Sequence, residues 1–282
     1  MPERILGELT LHTYELFDAH TEVTHVITTR HGGVSAEPYD SLNLGLHVGD
    51  DESAVLANRE RLTAITGVPT DRLTFGGQVH EMNVVVVDAS NAGGKFEATD
   101  SLVTDTPDTP LIILVADCVV VGLYDPVQRA VGIAHAGWRG TLGAIAQKTV
   151  AAMRVTFGTK PGDILAAIGP SIGPCCYEVG AEVVDAFYAE QGDIAPDILA
   201  TPEFASAGSF EGAINDDRMK LDLWQANALL LEHAGVSASS IEASAVCTSC
   251  NTGTYFSHRG EKGNTGRFAG IIQLHDHTQR AY

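Results

Sequence analysis

Residues 111–124, LIILVADCVVVGLY, are apolar except for one Asp-Cys pair at the centre. An ionised carboxylate costs several kcal/mol to bury unless it is paired or hydrogen-bonded. Any fold this chain adopts must therefore bring partners to Asp117. The run is also broken too early to span a bilayer, which takes roughly 18 or more apolar residues. It reads as two buried strands, 111–115 and 119–124, with a turn at Asp117-Cys118. On that reading Cys118 is either an ordinary buried cysteine or a group presented by the turn.

More elements are predicted around this pair. Residues 83–88 hold four consecutive valines, a buried-strand signal. Residues 130–134 read as another strand, with Asp125-Pro126 marking the turn before it. Residues 52–67 read as a helix with Val55, Leu56, Arg59, Leu62 and Ile65 along one face, Asp50 or Asp51 at its start and Gly67 at its end. Thr141 is placed to cap a helix reaching about residue 157, with Leu142, Ile145, Ala146, Val150 and Met153 facing inward. Residues 181–190 and 221–233 read as helices, the second with Leu221, Trp224, Ala228 and Leu231 in register and Gly235 beyond it. Residues 191–212 read as a loop or insertion, and 244–247 and 270–274 as closing strands. Strands and helices intersperse without a βαβ rhythm, which predicts an α+β chain (a mixed α/β sandwich). No composition shift marks a linker, so residues 1–282 are read as one domain.

Charge narrows the partners. Seventeen Lys and Arg stand against 36 Asp and Glu, a net charge of −19. Such a field repels nucleic acid and anionic membranes. The N-terminal Met1-Pro2-Glu3-Arg4 lacks a basic-then-apolar secretion pattern, so a cytoplasmic protein is expected. Five cysteines, an odd number, argue against a disulfide framework. Cys247-Thr-Ser-Cys250 is a lone CxxC, and Cys175-Cys176 are adjacent rather than spaced. Neither pair by itself predicts a zinc ribbon.

Three residues stand beside predicted strand ends: His80 in Gln78-Val79-His80, Cys118, and His135 in His135-Ala136-Gly137-Trp138-Arg139-Gly140. Each has a structural explanation of its own. Together they can converge at one sheet edge. Two imidazoles and a thiolate suit Zn²⁺ with a fourth position open, and the sulfur also suits Cu(I). Basic residues are scarce, yet Arg30, Arg139, Arg259, Lys262 and Arg267 fall in glycine-rich stretches. Arg139 and the helix start beside it suit a phosphate or carboxylate. The 30–35 and 259–267 stretches read either as anion loops or as turns. No phosphate-binding glycine motif of the dinucleotide type appears.

At these residues the chain resembles the YfiH-type family, also called the polyphenol oxidase or laccase-domain family. The resemblance runs in order through Thr29-Arg30-His31-Gly32-Gly33-Val34-Ser35, Tyr39-Asp40-Ser41-Leu42-Asn43-Leu44-Gly45, Gln78-Val79-His80 and Ala116-Asp117-Cys118. It continues through His135–Gly140, Ile168-Gly169-Pro170-Ser171-Ile172-Gly173-Pro174, Tyr177-Glu178-Val179-Gly180 and Thr265-Gly266-Arg267. It implies a single-domain α/β sandwich related to bacterial cytotoxic necrotizing factors. It also implies a metal held by His80, Cys118 and His135, and purine nucleoside phosphorylase activity accompanied by adenosine deaminase activity. The family's late Ser-Tyr-Arg-Arg motif reads Ser257-His258-Arg259-Gly260 here, with one arginine kept and the next lost.

The expected enzyme therefore uses zinc, acts on adenosine, inosine or guanosine with phosphate, and is a monomer or small homo-oligomer. Arg30, Asn43, Gln78 and Arg259 are expected to bind substrate. Asp117, Glu178 and Arg139 are expected to act in catalysis, with one of the two carboxylates moving the proton. The rivals are a copper-dependent polyphenol oxidase, a Cys118–His135 thiol amidohydrolase, and a zinc-stabilised binding protein without turnover.

Overall fold

The computed structural model describes residues 1–200 and 218–276. The 111–124 run does not fold back as a hairpin; its two halves lie in different sheets. Leu111–Val115 belongs to a seven-stranded sheet ordered Glu3–Leu6, Leu9–His12, Val23–Thr28, Phe268–Leu274, Leu111–Val115, Thr74–Gly77, Gly94–Glu97. Val119–Asp125 belongs to a six-stranded sheet ordered Ile241–Ala243, Leu165–Ile168, Val119–Asp125, Ala130–Ala136, Ser101–Thr104, Val84–Val86. A small third sheet pairs Glu178–Val179, Met219–Leu221 and Leu199–Ala200. Both large sheets mix antiparallel and parallel pairs. The fold is mixed α/β, as expected.

The stacking of the sheets explains the unbroken apolar runs. Side chains alternate along a strand. Val120 and Tyr124 face the core between the two sheets, with Ile113, Val115, Ile27 and Ile272 opposite. Val119, Val121 and Leu123 point the other way, onto helices Ile145–Phe157 and Leu223–His233. Ile112 and Ile271 cover the far face of the first sheet with Leu62 and Ile65. A strand buried on both faces reads as a near-continuous apolar run, with a polar residue only where it finds a partner.

Between the sheets one contact is unusually close. His25 lies buried on Val23–Thr28, stacked on Tyr14 with ring centroids 5.3 Å apart. Its Nδ1 meets the Ile271 carbonyl at 2.9 Å. Gly122 lies directly over it, where a Cβ would stand 2.4 Å from Nε2. Only glycine permits this approach.

Several boundaries differ from the sequence reading. The 52–67 helix is Glu52–Arg61 followed by a short Thr63–Thr66, capped by Asp51, whose carboxylate accepts from Ala54 N–H, and ended by left-handed Gly67. The helix expected from Thr141 is instead two, Trp138–Leu142 and Ile145–Phe157, broken where Ala144 takes φ +56°. Thr141 sits inside the first rather than capping the second. The last long helix is Leu223–His233, capped by Asp222. Its buried face carries Leu223, Ala226, Asn227, Leu230 and Leu231, rotated from the expected one. Residues 244–247 form no strand beyond a single bridge at Cys247; Ile241–Ala243 takes that place. In the expected loop, Ala195–Ile198 is helical and Leu199–Ala200 pairs as a strand; residues 201–212 lie outside the described residues.

Two predictions follow from the His25–Gly122 contact. Gly122→Ala overpacks the core and lowers unfolding stability by about 1–3 kcal/mol, read as a lower urea midpoint at unchanged m. Burial pushes the His25 imidazole down to about 4, its Ile271 bond opposing only in part. The unfolded chain then binds the extra proton first as pH falls. His25 therefore subtracts stability between about pH 6.5 and about pH 4. Urea titrations across that window give a shallower decline for His25→Gln than for the native chain.

Candidate functional site

Strand register brings the central residues together. Antiparallel pairing sets His135 opposite Val120 and Ala136 opposite Val119. The next pair along is Gly137 and Cys118, and a Cβ on Gly137 would lie 2.8 Å from Cys118 Sγ. On the other side Ala134 pairs with Ser101, and His135 N–H donates to the Asp100 carbonyl at 2.8 Å. His80 arrives from the loop after Thr74–Gly77, its ring 4.8 Å from that of His135. The ligand atoms of His80, Cys118 and His135 all lie within 4.8 Å of one another.

Asp100 orders this arrangement, and sequence reading missed it. The residue is fully buried. Its carboxylate accepts from the backbone N–H groups of Val79, His80 and Glu81 at 3.0–3.1 Å. It also meets His135 Nδ1 at 2.8 Å. The first three bonds hold His80 at φ +63°, a left-handed conformation that needs support. The fourth fixes the His135 ring and leaves its Nε2 as the available ligand atom. Burial alone would raise the Asp100 carboxyl, but the His135 bond and the backbone donors hold it below the usual carboxylate range.

The same groups set the charge on Cys118. Burial pushes the thiol up, but the positive charge of His135 and hydrogen bonds with His135 and His80 outweigh it, lowering it to about 6. His135 is pulled down by burial and raised more strongly by Cys118 and Asp100, to about 9. A thiolate beside an oriented imidazolium results, sharing a proton that a metal ion would displace. That donor set fits zinc: one soft sulfur, two nitrogens, and a glycine where a side chain would intrude.

Asp117 has the partners its burial demanded. Its carboxylate accepts from Thr248 Oγ1 at 2.6 Å, Ser257 Oγ at 2.7 Å and Arg259 N–H at 2.6 Å. It too is left-handed, with φ +85°. The chain thus turns from one sheet to the other at a residue pinned by two later loops.

These residues open onto a cavity of about 840 Å³. In a chain of strong negative charge its wall gathers Arg59, Lys95, Arg139, Arg259 and Arg267, against Glu97 and Asp117. Arg59 and Arg267 are spent partly on carbonyls, and Lys95 pairs with Glu97. The other two stack on rings: Arg139 lies 4.2 Å from the Trp138 centroid and Arg259 lies 5.5 Å from that of Tyr177. Among the described residues neither forms an ion pair. Tyr177, unassigned from sequence, lines the same wall.

The other expected site residues lie elsewhere or are committed. Arg30 is buried away from the cavity, donating to the Asp40 and Thr252 carbonyls and pairing with Glu261 and Asp40. Asn43 is fully buried; its Oδ1 accepts from the Gly45 and Arg267 backbone N–H groups, and its Nδ2 donates to the Asp50 carboxylate. Both hold loops, and the 30–35 stretch is a turn in which Gly33 packs on the Ser41 carbonyl. Gln78 does line the cavity, but its amide is used to clamp Leu114 N–H and C=O at 3.0 and 2.7 Å. Glu178 lies outside the cavity wall, paired with Arg218 and Lys220.

Comparison with known proteins identifies the family and the fold. Residues 24–275 match the profile of a family described as multi-copper polyphenol oxidoreductase laccase. A Geobacillus stearothermophilus protein named purine nucleoside phosphorylase YlmD is 40% identical over 253 residues, covering 87% of this chain and 88% of its own. A Deinococcus radiodurans purine nucleoside phosphorylase is 40% identical over 253 residues, covering 89% of each chain. The crystal structure of a Bacillus licheniformis protein called YfiH superposes with a TM-score of 0.85 at 36% identity, over 97% of this chain and 99% of that one.

The role of Asp100 generates a prediction. Asp100→Asn removes the charged acceptor that fixes both histidines, so the affinity of the His80–Cys118–His135 group for an added metal ion falls by about 10–100-fold. Competition against a chromophoric chelator measures this, with circular dichroism confirming a folded chain.

Proposed function

Because the chain belongs to the multi-copper polyphenol oxidoreductase laccase family, we propose that it is a zinc-dependent purine nucleoside phosphorylase with adenosine deaminase activity. One observation carries the reading: a positively lined cavity of about 840 Å³ holds the His80–Cys118–His135 group in its wall. The volume suits a nucleoside with phosphate beside it. Relatives of similar length bear the phosphorylase name. The reading includes a cytoplasmic enzyme working as a monomer or small homo-oligomer.

In phosphorolysis a phosphate oxygen bonds to ribose C1′ as the bond from C1′ to the base breaks. The products are free base and ribose 1-phosphate. Arg139 and Arg259 bind the phosphate, their faces on aromatic rings and their N–H edges available. Trp138, Tyr177 and Phe75 give the wall apolar surface for a purine. Asp117 positions Arg259 through its backbone bond; with three donors already on its carboxylate, it is assigned that role rather than proton transfer. The Arg218 and Lys220 pairs keep Glu178 out of the reaction. In deamination water replaces the C6 amino group of adenosine, giving inosine and ammonia. Zinc on His80, Cys118 and His135 would supply the Lewis acidity that polarises oxygen and lowers the pKa of water.

A second reading has its own observation. Cys118, His135 and Asp100 are arranged as thiolate, imidazolium and orienting carboxylate, a set that serves thiol hydrolases. Activity that survives chelation but not Cys118→Ala would favour it.

The main test incubates the protein with adenosine, inosine and guanosine, with and without phosphate. Free base forms only with phosphate, and adenosine also yields inosine. Cys118→Ala and His135→Ala each lower kcat by at least about 100-fold. Arg139→Ala and Arg259→Ala raise the KM for phosphate roughly 10–100-fold, the worth of a charge-assisted hydrogen bond. Failure to release base from any nucleoside sinks the reading. Copper in place of zinc, with phenol oxidation, would favour the oxidase.

A further inference from the structure

The four cysteines that the nucleoside chemistry does not use converge on one point. Ser171 forms a parallel bridge with Cys247. Ser171 N–H donates to the Val246 carbonyl at 3.2 Å, and Thr248 N–H to the Ser171 carbonyl at 2.9 Å. Two residues past Ser171, the chain turns at Gly173, whose carbonyl accepts from Cys176 and Tyr177 N–H. This turn delivers Cys175 and Cys176 to the Cys247–Cys250 loop. Cys250 Sγ lies 3.6 Å from Cys175 Sγ and 3.4 Å from Cys176 Sγ. All four sulfurs fall within 4.8 Å of one another.

We propose that Cys175, Cys176, Cys247 and Cys250 form a second metal site, a four-thiolate site for zinc. Sulfurs at the corners of a tetrahedron around zinc, each about 2.3 Å from the metal, stand roughly 3.8 Å apart. The observed separations are close to that, and well beyond the roughly 2.05 Å of a disulfide. Cys250 faces Cys175 and Cys176 almost equally, so the geometry selects no single pair for oxidation. Gly173 N–H donates to Cys247 Sγ at 3.2 Å, the kind of outer bond that steadies a thiolate ligand. No residue is shared with the His80–Cys118–His135 group.

The site is structural. It ties the 173–177 turn, which carries Tyr177 into the cavity wall, to the loop whose Thr248 holds Asp117. Binding energy of such a metal is folding energy, so it fixes one side of the cavity from behind. Four thiolates complete a tetrahedron, leaving no open position for substrate.

The test uses the full chain carrying Cys118→Ala, which removes the thiolate of the other site. Elemental analysis after desalting should find two zinc per native chain and one in Cys118→Ala. Adding Cys175→Ser and Cys250→Ser should take the last to zero. Both positions are exposed, so their loss leaves no buried void. Should that variant fail to fold, cobalt loading of Cys118→Ala decides alone: strong sulfur-to-cobalt charge transfer with tetrahedral d–d bands is expected. A Cys118→Ala chain without zinc, zinc retained by the triple variant, or cobalt without thiolate bands overturns the proposal, whereas one zinc in both the native and Cys118→Ala chains counts against zinc at His80, Cys118 and His135 alone. So does iron–sulfur or copper in place of zinc, or a denatured, unreduced native chain with two thiols fewer than its five cysteines.

Discussion

The structure depends on how Asp117 is satisfied. One carboxylate sits where the chain leaves the first sheet and enters the second, in a run otherwise apolar on both sides. Left unpaired there, it would cost more than most single contacts contribute. Thr248, Ser257 and the Arg259 backbone meet it from loops more than a hundred residues later. The crossing cannot be made without those loops, and the loops are fixed by the crossing. Cys118 follows directly, so the position of the thiolate is set by the partners of its neighbour. Arg259 is drawn to the cavity by the same bond.

A second carboxylate divides the work. Asp117 holds the crossing strand and the C-terminal loops, and Asp100 holds the two histidines. Asp117 accepts from two hydroxyls and an N–H, Asp100 from N–H groups alone, and each supports a left-handed residue, Asp117 itself and His80 respectively. Strain of this kind persists only where the surroundings over-determine it. Each case here is over-determined by three or more hydrogen bonds. The three donor atoms therefore converge from fixed backbone positions, and the Asp100 bond also holds the His135 ring.

Much of this was legible in the sequence, for physical reasons that also mark its limits. Strands buried on both faces announce themselves as continuous runs, and 111–115, 119–124 and 270–274 all fall within observed strands. Short edge strands such as Glu3–Leu6, exposed along most of their length, give no such signal. The break between Trp138–Leu142 and Ile145–Phe157 was hidden because its cause is tertiary: a Cβ on Gly143 would meet Met82 Sδ at 2.5 Å. The rotated face of Leu223–His233 has a similar origin, since Asn227 is drawn inward to bond Thr141 at 3.0 Å. His80, Cys118 and His135 could be grouped because each stands beside a predicted strand end and the resemblance grouped them. Asp100 could not, because only register places it beside His135. The four other cysteines were opaque in the same way. Local spacing shows one CxxC and one adjacent pair, and a single bridge at Ser171 joins them.

Charge explains how a chain this acidic could admit an anion. At about 0.1 M salt, fields from surface charges fade over roughly 10 Å. An inorganic phosphate approaching from solution therefore meets weak repulsion from the surface as a whole. Inside the cavity it meets guanidiniums at short range, against walls of low polarisability where each contact counts for more. A polyanion has no such separation of scales, because its further charges remain over the acidic surface while one end enters. On the proposed reading, the same distribution admits a neutral nucleoside with a single phosphate and disfavours nucleic acids. The surrounding −19 field then acts against polyanions, while the cavity wall selects among small ligands.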